Sequence, residues 1–264
     1  MNFFILFCVF SQAVTIIQGQ RKVDNRGVKN YSRRTVEVGV YLDKYVWNTM
    51  KQHVKGSDSV VQRATETMIK QLFKDTAVLF RDSSISKNGG FDLVVNGIMI
   101  IKDDKDREFS PIHETTDQGR QLDVFQKYAE SRNNPDDKKT DSYDISFLMS
   151  GNEEGGGYAG YSHIDSVCFF IQRNAVGMMK LHLKNGKPKG SDAHIVLAHE
   201  LGHVMGVYDH DGEKSAGKCR GNTIMTPITG PPNTKWSECS RKQIDDAYDR
   251  RESNKNTYGN CFYV

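Results

Sequence analysis

The chain has 264 residues, 37% of them hydrophobic, which is enough for one large domain or two small ones with a proper core, so disorder is not the expectation. Its 36 Lys and Arg nearly balance 33 Asp and Glu, leaving a formal charge of +3, and this excludes the single-sign field that nucleic-acid binding requires. Residues 1 to 19, MNFFILFCVFSQAVTIIQG, are uncharged and largely apolar, with small residues at Ser11, Ala13 and Gly19. They read as a secretory signal. The rival reading, a membrane anchor, needs ~20 uninterrupted apolar residues, and here Ser11, Gln12 and Gln18 break the run. No later segment is apolar enough to span a bilayer, so no membrane partner is expected.

Residues 20 to 34 form a short basic lead ending in Arg33-Arg34, with a sequon at Asn30-Tyr31-Ser32 that suits an exported chain. Order is expected from Thr35. TVEVGVYLD (35 to 43) is rich in β-branched residues and predicts a strand, and residues 59 to 73 space Val60, Val61, Ala64, Met68, Ile69 and Leu72 as a helix does. A strand over 91 to 103, a helix over 121 to 132 and a strand over 143 to 151 follow, and the alternation predicts an α/β sheet with crossovers. GNEEGGGYAGY (151 to 161) reads either as a Gly-dense turn or as a strand edge that a peptide backbone can approach closely. Short apolar runs, CFFIQ and AVGMMKLHL, come next.

Residues 191 to 206, SDAHIVLAHELGHVMG, predict the clearest helix, with Ser191 or Asp192 as N-cap and Gly206 as its stop. Beyond it the chain turns polar and rich in Gly and Pro, and recovers a helix only over 237 to 251. Without Cys8 in the signal, four cysteines remain: Cys168, Cys219, Cys239 and Cys261. In an oxidising compartment they suggest two disulfides in one of three connectivities, with four buried thiols as the alternative.

The helix carries the chemistry. His199 and His203, four residues apart, share one helical face about a turn apart, as two ligands of one metal must. Glu200 projects beside such a metal, where its carboxylate can take a proton from water and pass it to a leaving group. A surface helix with two incidental histidines is the plain alternative, but positions 195 to 205 are apolar on most sides and would bury those polar groups without recompense.

HExxH, then Gly206, a further ligand a few residues on and Met225 in NTIMTP together resemble the metzincin zinc endopeptidases, and within them the reprolysins, or adamalysins, most like arthropod venom and salivary members. The likeness runs from about residue 35 to 264. It rests on TVEVGVYLD, YDISFLMS, Cys168, HELGH, HDG, IM and WSECS. It implies an α/β metzincin-type catalytic domain: a mixed, mostly parallel sheet with an antiparallel edge strand, an active-site helix ending an N-terminal subdomain (35 to 206), and a small irregular C-terminal subdomain (207 to 264). It further implies pairs Cys168–Cys261 and Cys219–Cys239, a Met225 floor under the metal, and a substrate held antiparallel to an edge strand near Gly157 to Tyr161.

The departures are as informative. The lead holds no cysteine to cap a metal, and a catalytic domain alone, without a Cys-rich tail, is expected. Glu37, Asp144 and the Cys261 carbonyl match part of a family calcium site, but the chain has Val264 where an Asn oxygen belongs. The third zinc ligand is a choice of register. The family spacing, three residues past the glycine, falls on Asp209. One extra loop residue instead aligns His210-Asp211-Gly212 with the family's HDG and makes His210 the ligand, the preferred reading because three consecutive residues match rather than one.

The function expected is a secreted, monomeric zinc endopeptidase acting on extracellular proteins, with Glu200 catalytic and His199, His203 and His210 on the metal. A silent protein that keeps this fold to bind a matrix or receptor partner is the alternative, and it has no need of Glu200. A zinc hydrolase of non-peptide substrates is a third.

Overall fold

Thr35–Leu42 (β1) is buried along its whole length, as a β-branched strand with neighbours on both sides should be. The computed structural model describes residues 34–134, 136, 139–153, 158–167, 175–190, 192–228 and 233–253. The signal, the basic lead up to Arg33 with its sequon, CFFIQ, Cys168 and Cys261 lie outside these residues, while Arg34, the last residue of the lead, is described and buried.

The elements run β1, α1 (Lys44–His53), α2 (Asp58–Arg81), β2 (Asp92–Ile100), a 3-10 turn (Ser110–Glu114), α3 (Gln118–Glu130), β3 (Ile145–Ser150), β4 (Gly160–Ser162), β5 (Val176–Lys180), a small hairpin of β6 (Leu183–Lys184) and β7 (Lys187–Pro188), α4 (Ala193–Met205), a 3-10 turn (Lys214–Ala216) and α5 (Glu238–Ser253). The main sheet has the order β2-β1-β3-β5-β4. Its first four strands pair parallel and β4 pairs antiparallel to β5, at the edge.

Side chains alternate across the sheet and build two layers of core. Val36, Val38, Val40, Phe147, Met149 and Met179 meet α2 and α4 on one face. Tyr41, Leu148, Val176 and Met178 meet Phe109, Ile112 and α3 on the other. Among the described residues no helix is long and apolar enough to cross a membrane.

Two elements depart from the reading of the sequence. α1 was not expected, yet buried Val46, Trp47 and Met50 recur at helical spacing behind Asp43, whose carboxylate accepts from the Tyr45 and Val46 amides. The same carboxylate accepts from Gly151 N–H at 3.0 Å and from Ser150 Oγ at 2.5 Å, fastening α1 to the end of β3. α2 runs past Phe73 to Arg81, because Thr76, Ala77, Leu79 and Phe80 continue its buried stripe.

Candidate active site

α4 is held from both faces, and every residue from Ile195 to Met205 is buried. Asp192 takes the N-cap place without a side-chain cap bond, and Ser191 lies outside the described residues. At the far end Gly206 adopts φ +123°, and a Cβ there would sit 2.5 Å from Ala247 Cβ, so only glycine makes the turn. The last carbonyls of α4 are not left bare: Asp165 N–H donates to His203 O at 2.9 Å, and Ser166 and Val167 donate to Val204 O at 3.0 and 3.1 Å. Buried Arg251 of α5 braces the same corner, donating to Val167 O at 2.9 Å and to Asp165 at 2.7 Å.

The predicted histidines come together. His203 Nε2 lies 3.2 Å from His199 Nε2 and 3.3 Å from His210 Nε2. Each opposite nitrogen faces an oxygen: His199 Nδ1 the Ile224 carbonyl at 2.8 Å, His203 Nδ1 the Val207 carbonyl at 2.6 Å, and His210 Nδ1 the Glu213 carboxylate at 3.4 Å. For His199 and His203 these carbonyls can only accept, so Nδ1 carries the proton and Nε2 keeps its lone pair. Burial, reinforced by the neighbouring imidazoles, pushes His199 down to about 3 and His203 down to about 4. Neutral imidazoles with lone pairs converging on one point suit a nitrogen-ligated divalent metal ion.

Asp209 does not join them. Its Oδ2 accepts from Ser215 N–H at 3.1 Å and from the Ser215 hydroxyl, and its amide donates to Gln243 Oε1 at 3.3 Å. Asp211 braces the loop from below: Oδ1 accepts from Ser237 Oγ at 2.6 Å, Oδ2 from Thr223 Oγ1 at 2.5 Å, and its N–H donates to Met225 O at 2.9 Å. Buried Met225 presents its sulfur to Gly202, where a Cβ would lie 2.9 Å from Sδ and 2.8 Å from the Trp236 ring. Ile224 and Met225 thus orient His199 and support α4 in one short segment. The Cys219–Cys239 disulfide joins this loop region to α5; Cys168 and Cys261 lie outside the described residues. Of the calcium candidates, Glu37 and Asp144 are adjacent, with Glu37 N–H donating to Asp144 Oδ2 at 2.8 Å, while Cys261 is outside.

Glu200 faces β4. Burial pushes its carboxyl up to about 7, partly offset by Ser162 Oγ, which donates to Oε2 at 2.8 Å. Gly160 leaves the carboxylate its room: a Cβ there would lie 2.4 Å from Oε1. Gly160 fell within the stretch read as either a Gly-dense turn or a strand edge, but its link to Glu200, like that of Ser162, was not read from the sequence, because it arises only where β4 packs on a helix some forty residues later. Beside this contact, one turn upstream on α4, Val196 and Ala193 line a cavity of about 350 Å³ with Tyr158, Ala159, Met179 and Leu181.

Residues 32–237 match the family model described as Reprolysin_5, Metallo-peptidase family M12. The chain is 25% identical over 219 residues to a disintegrin and metalloproteinase with thrombospondin motifs, adt-1, of Caenorhabditis elegans, covering 80% of this chain and 14% of that protein. It is 35% identical over 115 residues to disintegrin and metalloproteinase domain-containing protein 12 of Mus musculus, covering 41% of this chain and 12% of that one. The chain therefore spans only a small part of the length of these relatives. A solved structure titled "Structure of a chaperone-substrate complex" matches at a TM-score of 0.51 and 14% identity over 89% of this chain and 36% of that chain, a likeness of fold alone.

Proposed function

This chain belongs to metallopeptidase family M12, and on that premise we propose that it is a secreted zinc endopeptidase that cleaves internal bonds of extracellular proteins. The observation that carries the reading is the meeting of three imidazole Nε2 atoms, two of them from the helix on which Glu200, next in sequence to His199, is buried under an edge strand. His199, His203 and His210 would hold the ion through Nε2. When bound, zinc supplies Lewis-acid chemistry, polarising the scissile carbonyl and acidifying water.

The remaining steps fall to the protein's own groups. β4 ends the sheet, so an extended peptide can pair along its outer side, antiparallel, with its backbone drawn across Glu200. Glu200 takes the proton of the attacking water and returns it to the leaving amine, work for which a carboxyl near neutrality is suited. Export is supported by the Cys219–Cys239 disulfide, which persists in oxidising surroundings, and by the N-terminal segment. A venom or salivary secretion fits the likeness stated above.

The test is cleavage of casein by purified, metal-loaded protein. Cleavage that a zinc chelator stops, and that Glu200→Gln lowers by at least 100-fold with zinc retained, is the expected result. No cleavage by protein shown to carry zinc would sink the reading.

A further inference from the structure

Glu200 reaches its site on three side-chain torsions, and a buried carboxyl group must find hydrogen-bond partners to keep one orientation there. Among the described residues one donor serves it, Ser162, whose hydroxyl comes not from α4 or the metal loop but from the edge strand. The sheet prepares that contact. Gly160 and Ser162 stand two apart on β4 and so point to the same face, toward α4, while Tyr161 points away. Ser162 pairs with Gly177 of β5, where a Cβ would lie 2.8 Å from Ser162 Oγ; its absence leaves the hydroxyl free to turn toward the helix. Gly160 clears the space taken by Glu200 Cγ, Cδ and Oε1, all within 2.5 Å of where its Cβ would be.

Two missing side chains and one hydroxyl thus form a seat for one carboxylate. We propose that Ser162 is a positioning residue for Glu200: by holding Oε2 it fixes the plane of the carboxylate and leaves Oε1 as the oxygen that exchanges a proton with water and substrate. The two oxygens thereby have different tasks, one anchored to the sheet and one reactive. The edge strand then serves the chemistry as well as the binding of the peptide, because Gly160 and Ser162, two of its three residues, also aim the base. The proposal rests on the peptidase reading for its kinetic consequence but not for its structural one.

Two measurements decide it. The first compares Ser162→Ala and Ser162→Thr with the wild type in steady-state cleavage at matched zinc content. Loss of aim by a positioned group lowers kcat about 10- to 100-fold, with KM within about twofold, and Ser162→Thr, which keeps the hydroxyl, recovers most of it. A kcat within twofold of wild type in Ser162→Ala, or a loss that Ser162→Thr shares in full, overturns the proposal. The second is a crystal structure of Ser162→Ala, which needs no activity. A carboxylate that rotates away from Gly160 or splits between rotamers supports the proposal, and an unchanged carboxylate overturns it. A wild-type protein that carries zinc and cleaves nothing would end the peptidase reading, and the crystal structure would still decide the role of Ser162.

Discussion

Asp209 and His210 are neighbours with different tasks. The Asp209 carboxylate is occupied by Ser215, first through its hydroxyl, and these bonds hold it below the usual carboxylate range, while His210 turns its Nε2 to the other two imidazoles. His210→Ala is therefore expected to lose zinc and activity together, and Asp209→Ala to keep both and lose only a few degrees of Tm, measured by metal analysis and thermal melts. The opposite pattern would restore the shorter register. The match of HDG made His210 legible in the sequence, since three residues in a row carry a register that one cannot. The link of Gly160 and Ser162 to Glu200 was illegible because it lies in a partner distant in the chain.

His113 makes the same point at another buried spot. Burial alone would lower its pKa, but facing Asp43 Oδ2 at 3.8 Å and Asp104 Oδ1 at 2.9 Å it is raised above the ordinary 6.5. Protonated His113 therefore stabilises the fold fully below that ordinary value, and the contribution fades as pH rises through the folded-state value. The Tm deficit of His113→Gln should be largest near about pH 6 and narrow by about pH 9; a deficit independent of pH would show that packing against Tyr45 and Phe109 is its whole role.

Elements were read best where period and punctuation agree. α4 has both, an apolar run and a glycine stop, and its predicted span of 191 to 206 encloses the observed Ala193–Met205. α1 had the period without a clear stop, since it ends at Val54 in extended backbone, and α2 was cut short where Lys74 and Asp75 interrupt the apolar residues on its exposed side. The Gly206 stop can be tested. Gly206→Ala brings a side chain into positive φ and against Ala247, and should destabilise the protein by about 2–4 kcal/mol, read as a shift in denaturation midpoint. A change below about 0.5 kcal/mol would mean that α4 ends elsewhere in solution.

The molecule as a whole divides its labour between a sheet, whose strands the sequence largely disclosed, and a segment after Gly206, of which the sequence disclosed the irregularity and the last helix but not the path of the turns. The apolar strands alternate with helices, so the mixed sheet was legible; the order β2-β1-β3-β5-β4 was not, because strand neighbours are set by long-range packing. After Gly206 regular structure gives way to turns held by Asp209, Asp211 and the disulfide. The Cys219–Cys239 bridge closes a separation of 20 residues, for which loop-closure entropy gives about 3 kcal/mol. Replacing both cysteines by Ala should lower stability by about that amount and weaken zinc retention, since Asp211 bonds Ser237 beside Cys239. Unchanged zinc affinity in a destabilised protein would separate the bridge from the site.

β4 has one more consequence, for the protein's own solubility. A strand left open at the edge of a sheet is also an open template for another copy of the same chain, and long flat edges of this kind seed aggregates. Here the strand lasts three residues, and Asp165, at φ 56°, turns the chain away just beyond it. Lengthening β4 would lengthen the row of open backbone groups and invite polymerisation; its brevity lets an edge stay open without seeding aggregates.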